Sequence, residues 1–306
     1  MSSILGIMEE NKYINTTVNT TSHRENKNFL FKFKGKTLDL SKKTHIMGIL
    51  NITPDSFSDG NLYNTVDEYL FRIEEMLEQG ADIIDLGAES TRPGSISISA
   101  EEELDRLLPV LENAITRFET NFSVDTTKSL VAKKAMERGV SIINDISGLT
   151  FEPEMGRHIA KHDAGIILMH TPGRPDVMQE LTNYDSILPE IINFLSNSID
   201  TAKSFGINFE NIIVDPGIGF GKTVDQNLEV LRNLSELLKL RRPILIGTSR
   251  KSFIGKLLGN IDVHNRIEGS SATVTASILN GASIVRVHDI NEMKKVVKIT
   301  DAIQGK

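Results

Sequence analysis

The feature that most constrains this chain is a rhythm of short apolar runs. From residue 45 onward they recur as HIMGIL (45–50), DIIDLG (82–87), NFSVD (121–125), SIIND (141–145), GIILMH (165–170), NIIVD (211–215), PILIGT (243–248) and SIVRVH (283–288). Each run opens into a polar or glycine-containing loop. In most cases a stretch with helical periodicity follows, as in 65–80, 100–115, 128–139, 187–206 and 223–239. Several of these stretches stop at a glycine (Gly80, Gly139, Gly206, Gly281), the residue that most easily takes the left-handed turn ending a helix. Strands apolar on both faces and alternating with helices imply a parallel sheet covered on both sides. Eight such units over about 260 residues predict a closed (β/α)8 barrel, the TIM-barrel architecture, as a single domain. An open doubly wound sheet is the rival. Against it, no strand is followed by the glycine fingerprint of a dinucleotide site.

Ahead of the rhythm, residues 1–28 are polar and rich in Asn and Thr, which predicts a flexible extension. FLFKFKGKTLDL (29–40) alternates apolar and basic residues around Gly35 and reads as a small hairpin belonging to the domain 29–306. The first residues lack the basic and long apolar parts of a signal peptide, so a cytoplasmic location with no membrane partner is expected. The absence of cysteine excludes disulfides and thiolate metal sites. With 34 basic against 41 acidic residues the formal charge is −7, which argues against a nucleic-acid partner.

In barrels of this kind the chemistry collects at the carboxyl ends of the strands. Those ends read Asn51, then Glu89-Ser90-Thr91-Arg92, Asp125, Asn144, His170, Asp215, Ser249-Arg250-Lys251, and Arg286 with His288. Asp125, Asn144 and Asp215 directly follow apolar residues, so they are expected half-buried at the floor of the mouth. A buried carboxylate needs strong donors. An amino-pyrimidinone edge, as in guanine or a pterin, offers an NH2 and a ring N–H side by side. Arg286 and His288, two apart, share a strand face. With Arg92 and Lys251 they make a cationic mouth in an acidic protein, which suits an anionic substrate and a departing diphosphate. No paired-histidine metal motif is present. Any metal should be a hard ion such as Mg2+, held mostly by phosphate and water, with Asn51 a suitable single protein ligand. DPGIGFGKT (215–223) ends like a phosphate loop, but Pro216 stands where that motif needs glycine.

Taken together, MGILNITPDSFSDG (47–60), DLGAESTRPG (85–94), SVDTTK (123–128), IINDISG (142–148), LMHTPGRPDVMQ (168–179), DPGIGFGK (215–222), TSRKSFIG (248–255) and RVHD (286–289) are similar to the motifs of the dihydropteroate synthase family, in order and across nearly all of 45–306. The resemblance implies a transferase of folate biosynthesis that joins p-aminobenzoate to 6-hydroxymethyl-7,8-dihydropterin diphosphate. It implies a pterin pocket of Asp125, Asn144, Met169, Asp215, Phe220, Gly247 and Lys251. It places the diphosphate by Asn51, Thr91, Arg286 and His288, with Mg2+ at Asn51, and p-aminobenzoate by Phe57, Thr91, Arg92, Pro93, Ser249 and Lys251. Among these, Asn51, Lys251, Arg286 and His288 are the expected catalytic groups. A sulfonamide-binding acceptor site and a homodimer through late helices, helped by the apolar face of VTASILNGA (274–282), are further implications. Residues 51–60 are expected to act as a lid, shaped by Pro54 and Gly60, with Phe57 its apolar contact. Thr171 departs from the usual methionine after the histidine. The alternatives are a non-catalytic pterin-binding module, against which the intact 51–60 and 91–94 segments speak, and a methyltetrahydrofolate-type methyltransferase barrel, which should not need RVHD or SRKS.

Overall fold

A computed structural model describes residues 29–53, 65–91 and 94–306. The extension 1–28, Pro54, Phe57 and Gly60 of the expected lid, and Arg92 and Pro93 lie outside the described residues. Eight parallel strands close into a barrel: β3 (His45–Asn51), β4 (Ile83–Gly87), β5 (Asn121–Asp125), β6 (Ile142–Asp145), β7 (Gly165–Met169), β8 (Ile212–Asp215), β9 (Ile244–Ile246) and β10 (Ala282–Val287), with β10 beside β3. The expected (β/α)8 architecture is therefore observed. The strands are buried along nearly their whole length, as Ile- and Val-rich runs covered on both sides must be.

The helices around the barrel are α1 (Val66–Gln79), α2 (Ala100–Arg117), α3 (Ser129–Glu137), α4 (Met155–Lys161), α5 (Ile187–Ser204), α6 (Val224–Arg232), α7 (Ser252–Leu257), α8 (Ile267–Leu279) and α9 (Ile290–Gln304). Thr65 starts α1 with a capping box, its hydroxyl accepting from the Glu68 amide while Glu68 reaches back to the Thr65 amide. Gly80 ends the same helix at φ 102°, a conformation that strains any residue with a Cβ. Against the expectation for 223–239, α6 stops at Arg232 and a 3-10 turn (Leu234–Leu240) takes over. The Asn233 amide donates 3.0 Å to the Glu229 carbonyl, competing for the last turn. Leu234 and Leu237, three apart, then stack their buried side chains on one face of the tighter helix. Among the described residues no helix is long and apolar enough to cross a membrane.

The predicted hairpin is present as β1 (Leu30–Phe33) and β2 (Lys36–Asp39), antiparallel around Gly35. Its Phe31 and Phe33 pack with Met47, Ile83, Ile142, Ile167, Ile213, Leu245 and Ile284, inward residues from every barrel strand except β5. A Cβ on Gly165 would lie 2.3 Å from the Phe31 ring, so the glycine is what lets the ring close the amino-terminal end. Burying each phenylalanine is worth roughly 1.5–3 kcal/mol. The barrel interior is thus apolar at this end and polar at the other.

Candidate active site

Strand register sets the polar end. Asp125 of β5 aligns with Gly87 of β4 and with Asn144 of β6, and Met169 of β7 aligns with Asp215 of β8. A Cβ on Gly87 would lie 3.7 Å from the Asp125 Cβ and 3.9 Å from Asn51 Oδ1, so Asn51 and Asp125 flank one bare shelf. Gly247 leaves a similar space beside Arg286, whose Cβ lies 3.8 Å from where a Gly247 Cβ would be.

Arg286 points inward and bridges two carboxylates. Its Nε donates 2.7 Å to Asp85 Oδ2 and its Nη2 donates 2.8 Å to Asp125 Oδ2. Asp85 also accepts the Asn144 amide at 3.1 Å. Asp85 is fully buried and was missed by sequence reading, because it sits inside the apolar run IIDLG. An aspartate within a strand that is otherwise core was the available signal. The Oδ1 atoms of Asp85 and Asp125 have no hydrogen-bond partner among the described residues. Such an atom is costly to leave bare, so it marks a place for an incoming donor. Burial pushes the Asp125 carboxyl up, opposed by Arg286 and reinforced by Asp85. Asp215 is pushed up to about 6 by burial, although the Gly217 amide (2.7 Å) and Lys251 oppose the shift. At neutral pH Asp215 is therefore mainly ionised.

Met169 and Phe220 form the apolar wall with Ile146 and Met178. The Lys251 ammonium lies 4.2 Å from the Phe220 ring centroid, a cation–π contact. Burial and the Arg286 charge lower Lys251 to about 8, against the pull of Asp215 and Asp125.

The wall is held by an internal lysine. Lys222 donates to the Gly217 carbonyl at 2.9 Å and the Phe220 carbonyl at 3.0 Å, and lies 3.0 Å from His170 Nδ1. The 215–222 segment thus winds around its own ammonium. Burial and Lys222 lower His170 to about 2, so this strand-end histidine is a neutral structural acceptor.

Beside Arg286, Ser249 Oγ lies 3.1 Å from His288 Nδ1 and accepts the His288 amide at 3.2 Å. Burial and the charges of Arg250 and Arg286 lower His288 to about 3, leaving a neutral imidazole. Arg250 is committed elsewhere, forking onto the Asp289 carboxylate. Thr91 lies half-exposed at the mouth. Of the other acceptor-side residues, Ser249 is within the cluster, while Phe57, Arg92 and Pro93 are outside the described residues. Among the described residues no three His, Cys, Asp or Glu side chains come together as a metal cage.

Residues 47–288 match the family model described as pterin binding enzyme. The chain belongs to that family. It is 47% identical over 270 residues to a dihydropteroate synthase of Synechocystis sp. (strain ATCC 27184 / PCC 6803 / Kazusa), covering 88% of this chain and 93% of the relative. It is similar to a Clostridium difficile dihydropteroate synthase solved in the presence of pteroic acid, with a TM-score of 0.81, 47% identity, and 87% and 98% of the two chains covered. It is also similar to a Yersinia pestis dihydropteroate synthase solved with a sulfonamide drug complex, with a TM-score of 0.86, 41% identity, and 91% and 100% covered. Members of the family so named are transferases, and the family barrel matches this one across almost its full extent.

Proposed function

We propose that the chain is a dihydropteroate synthase, which condenses p-aminobenzoate with 6-hydroxymethyl-7,8-dihydropterin diphosphate to give 7,8-dihydropteroate and pyrophosphate. The observation that carries this beyond the family is the pair of buried carboxylates at the mouth, Asp125 with a bare Oδ1 and Asp215 accepting the Gly217 amide at 2.7 Å. They suit the side-by-side N–H donors of a pterin edge, with Asn144 for its remaining polar atoms. Met169 and Phe220 supply the faces for the flat ring.

In this reading the diphosphate lies toward Asn51, Arg286 and His288, and Thr91, on the loop after β4, serves the acceptor side. Arg286 is aimed by Asp85, which holds its Nε. A pterin edge donating into Asp125 would take over part of the work that Arg286 Nη2 does there, and so release that nitrogen toward the diphosphate. The neutral His288 can donate a hydrogen bond from its ring. The C–O bond at the pterin methylene breaks, and its electron pair leaves with pyrophosphate. The p-aminobenzoate nitrogen then forms the new C–N bond and sheds a proton. Developing positive charge on the pterin is favoured by Asp125 and Asp215 nearby. Lys251, above Phe220, and Ser249 border the acceptor.

A hard cation such as Mg2+ fits the donor set, with the Asn51 amide oxygen as its protein ligand and substrate and water oxygens as the rest. Such an ion supplies charge neutralisation for the leaving diphosphate when bound. We further assign the protein to the cytoplasm and to a homodimer. Exposed Leu257 and Leu258 at the end of α7, Leu279 of α8, and Ile299 and Ile303 of α9 support the latter.

Incubation with p-aminobenzoate, the pterin diphosphate and Mg2+ tests the reaction. Pyrophosphate release dependent on both substrates is expected; none from folded protein would overturn the reading.

A further inference from the structure

Behind the mouth lies a buried charge cluster that none of the assigned roles uses. Lys128 stands at the start of α3, three residues after Asp125. Its ammonium donates to Glu89 Oε2 and to Glu103 Oε2, both at 2.7 Å. The three side chains are 15%, 12% and 0% exposed. Glu103 lies in the first turn of α2, where the helix dipole favours a carboxylate. Burial raises Glu103, against the pull of Lys128. Burial alone would lower Lys128, yet the two carboxylates raise it overall, so it stays charged. Without it, two carboxylates would face each other away from water.

Glu89 has a second set of partners. Its Oε1 accepts the Ser97 hydroxyl at 2.8 Å and the Ile98 amide at 3.0 Å. The segment after β4 closes further on itself, with Ser95 Oγ donating 2.6 Å to the Ser90 carbonyl. The Gly94 amide donates 3.1 Å to the Pro175 carbonyl, tying the segment to the connection after β7. One carboxylate therefore gathers both ends of a loop, and one lysine fixes that carboxylate to the strand end bearing Asp125. Thr91 lies on this loop.

We propose that Lys128 is a positioning residue for the acceptor amine. Through Glu89 it sets the loop presenting Thr91 relative to the pterin carboxylate Asp125. This rests on the acceptor being p-aminobenzoate, as assigned above. It makes no contact with substrate itself. Its role is to keep the acceptor side in register with the pterin side, so its loss should be felt by one substrate and not the other.

Steady-state kinetics of Lys128→Met should show the KM for p-aminobenzoate raised at least tenfold, with the KM for the pterin diphosphate within twofold of wild type. A merely structural lysine would raise both together or neither, and either result overturns the proposal. Should Lys128→Met not fold, Ser97→Ala decides, since it removes one of the two loop-side bonds to Glu89 and leaves the buried ions intact. It should raise the p-aminobenzoate KM about threefold without moving the pterin KM, and an unchanged value refutes the idea. Amide hydrogen exchange at Ile98 and Gly94 needs no turnover and separates this proposal from the functional reading. Both amides should exchange faster in Lys128→Met, while unchanged protection would overturn the positioning role even if the wild-type protein proved inactive as a synthase.

Discussion

Replacing Lys222 by Met offers a test of the pocket wall with a calculable pH signature. Burial, with Lys251 adding to it and Asp215 opposing, lowers the Lys222 ammonium from 10.5 to about 7. A difference of roughly 3.5 units corresponds to about 5 kcal/mol at about 1.4 kcal/mol per unit. Between pH 7 and 10.5 the unfolded chain holds a proton here that the folded protein has released. Wild-type stability should therefore rise with pH across that window, by up to about 1.4 kcal/mol per pH unit from this group, and the gain is absent below 7. Methionine keeps most of the volume and carries no proton, so it removes the slope. It also leaves the Gly217 and Phe220 carbonyls and His170 Nδ1 without their donor, at roughly 1–3 kcal/mol each. The variant should be less stable than wild type at high pH and closer to it near neutrality. Urea unfolding at pH 7.5 and 9.5 should show the gap widening by about 2–3 kcal/mol, with equal m-values. Lys251 titrates nearby but is present in both proteins, so it largely cancels. A gap that stays constant between the two pH values would refute the claim that Lys222 is buried against its own charge.

Three further outcomes follow from the geometry. Asp215→Asn should weaken binding of a pterin lacking the diphosphate by about 10- to 100-fold, the worth of a charged hydrogen-bond acceptor. In wild type that affinity should climb as pH rises through about 6, where Asp215 ionises, and calorimetric titration should find the variant without this rise. Asp85→Asn leaves the buried Arg286 with one carboxylate instead of two and should lower unfolding free energy by about 3 kcal/mol; an unchanged denaturation midpoint would contradict the bridge. Gly217→Ala should cost at least about 3 kcal/mol, because its Cβ would sit 2.0 Å from the His170 carbonyl at φ +69°. Gly206→Ala, at φ +92° with open space around it, should cost only about 1 kcal/mol, and equal losses would deny the close approach.

The barrel could be read from the chain because its signals are local. Apolar runs such as GIILM and IIVD are strands on both faces, and Gly80, Gly139, Gly206 and Gly281 all adopt the positive φ that ends a helical stretch. The hairpin was visible through alternation around Gly35. The break of 223–239 at Asn233 was not, since an exposed asparagine in a helical pattern looks like any surface residue. In the site, Asp125, Asn144 and Asp215 stood out as polar residues at strand ends, and register sets Asp125 beside Asn144 with Asp215 two residues further along. Asp85 was hidden because its partner Arg286 is 201 positions away, a distance that only barrel closure removes. The same holds for Lys128 and Glu89, whose bond spans 39 positions. His170 showed the converse, a strand-end histidine whose ring is spent on Lys222 inside the wall.

The phenylalanine floor has a consequence for traffic through the molecule. With Phe31 and Phe33 seated against the apolar layer, the amino-terminal end is closed among the described residues, which leaves the carboxyl end as the entrance. Everything that enters at the carboxyl end must also leave there. A bicyclic donor lying deepest, against Asp125 and Asp215, would sit behind an acceptor lying nearer the rim. Departing pyrophosphate and the joined product must then clear the same doorway before another donor can descend. Turnover in such a one-door chamber is a queue, and anything that parks at the rim in the acceptor's place holds up the molecules behind it.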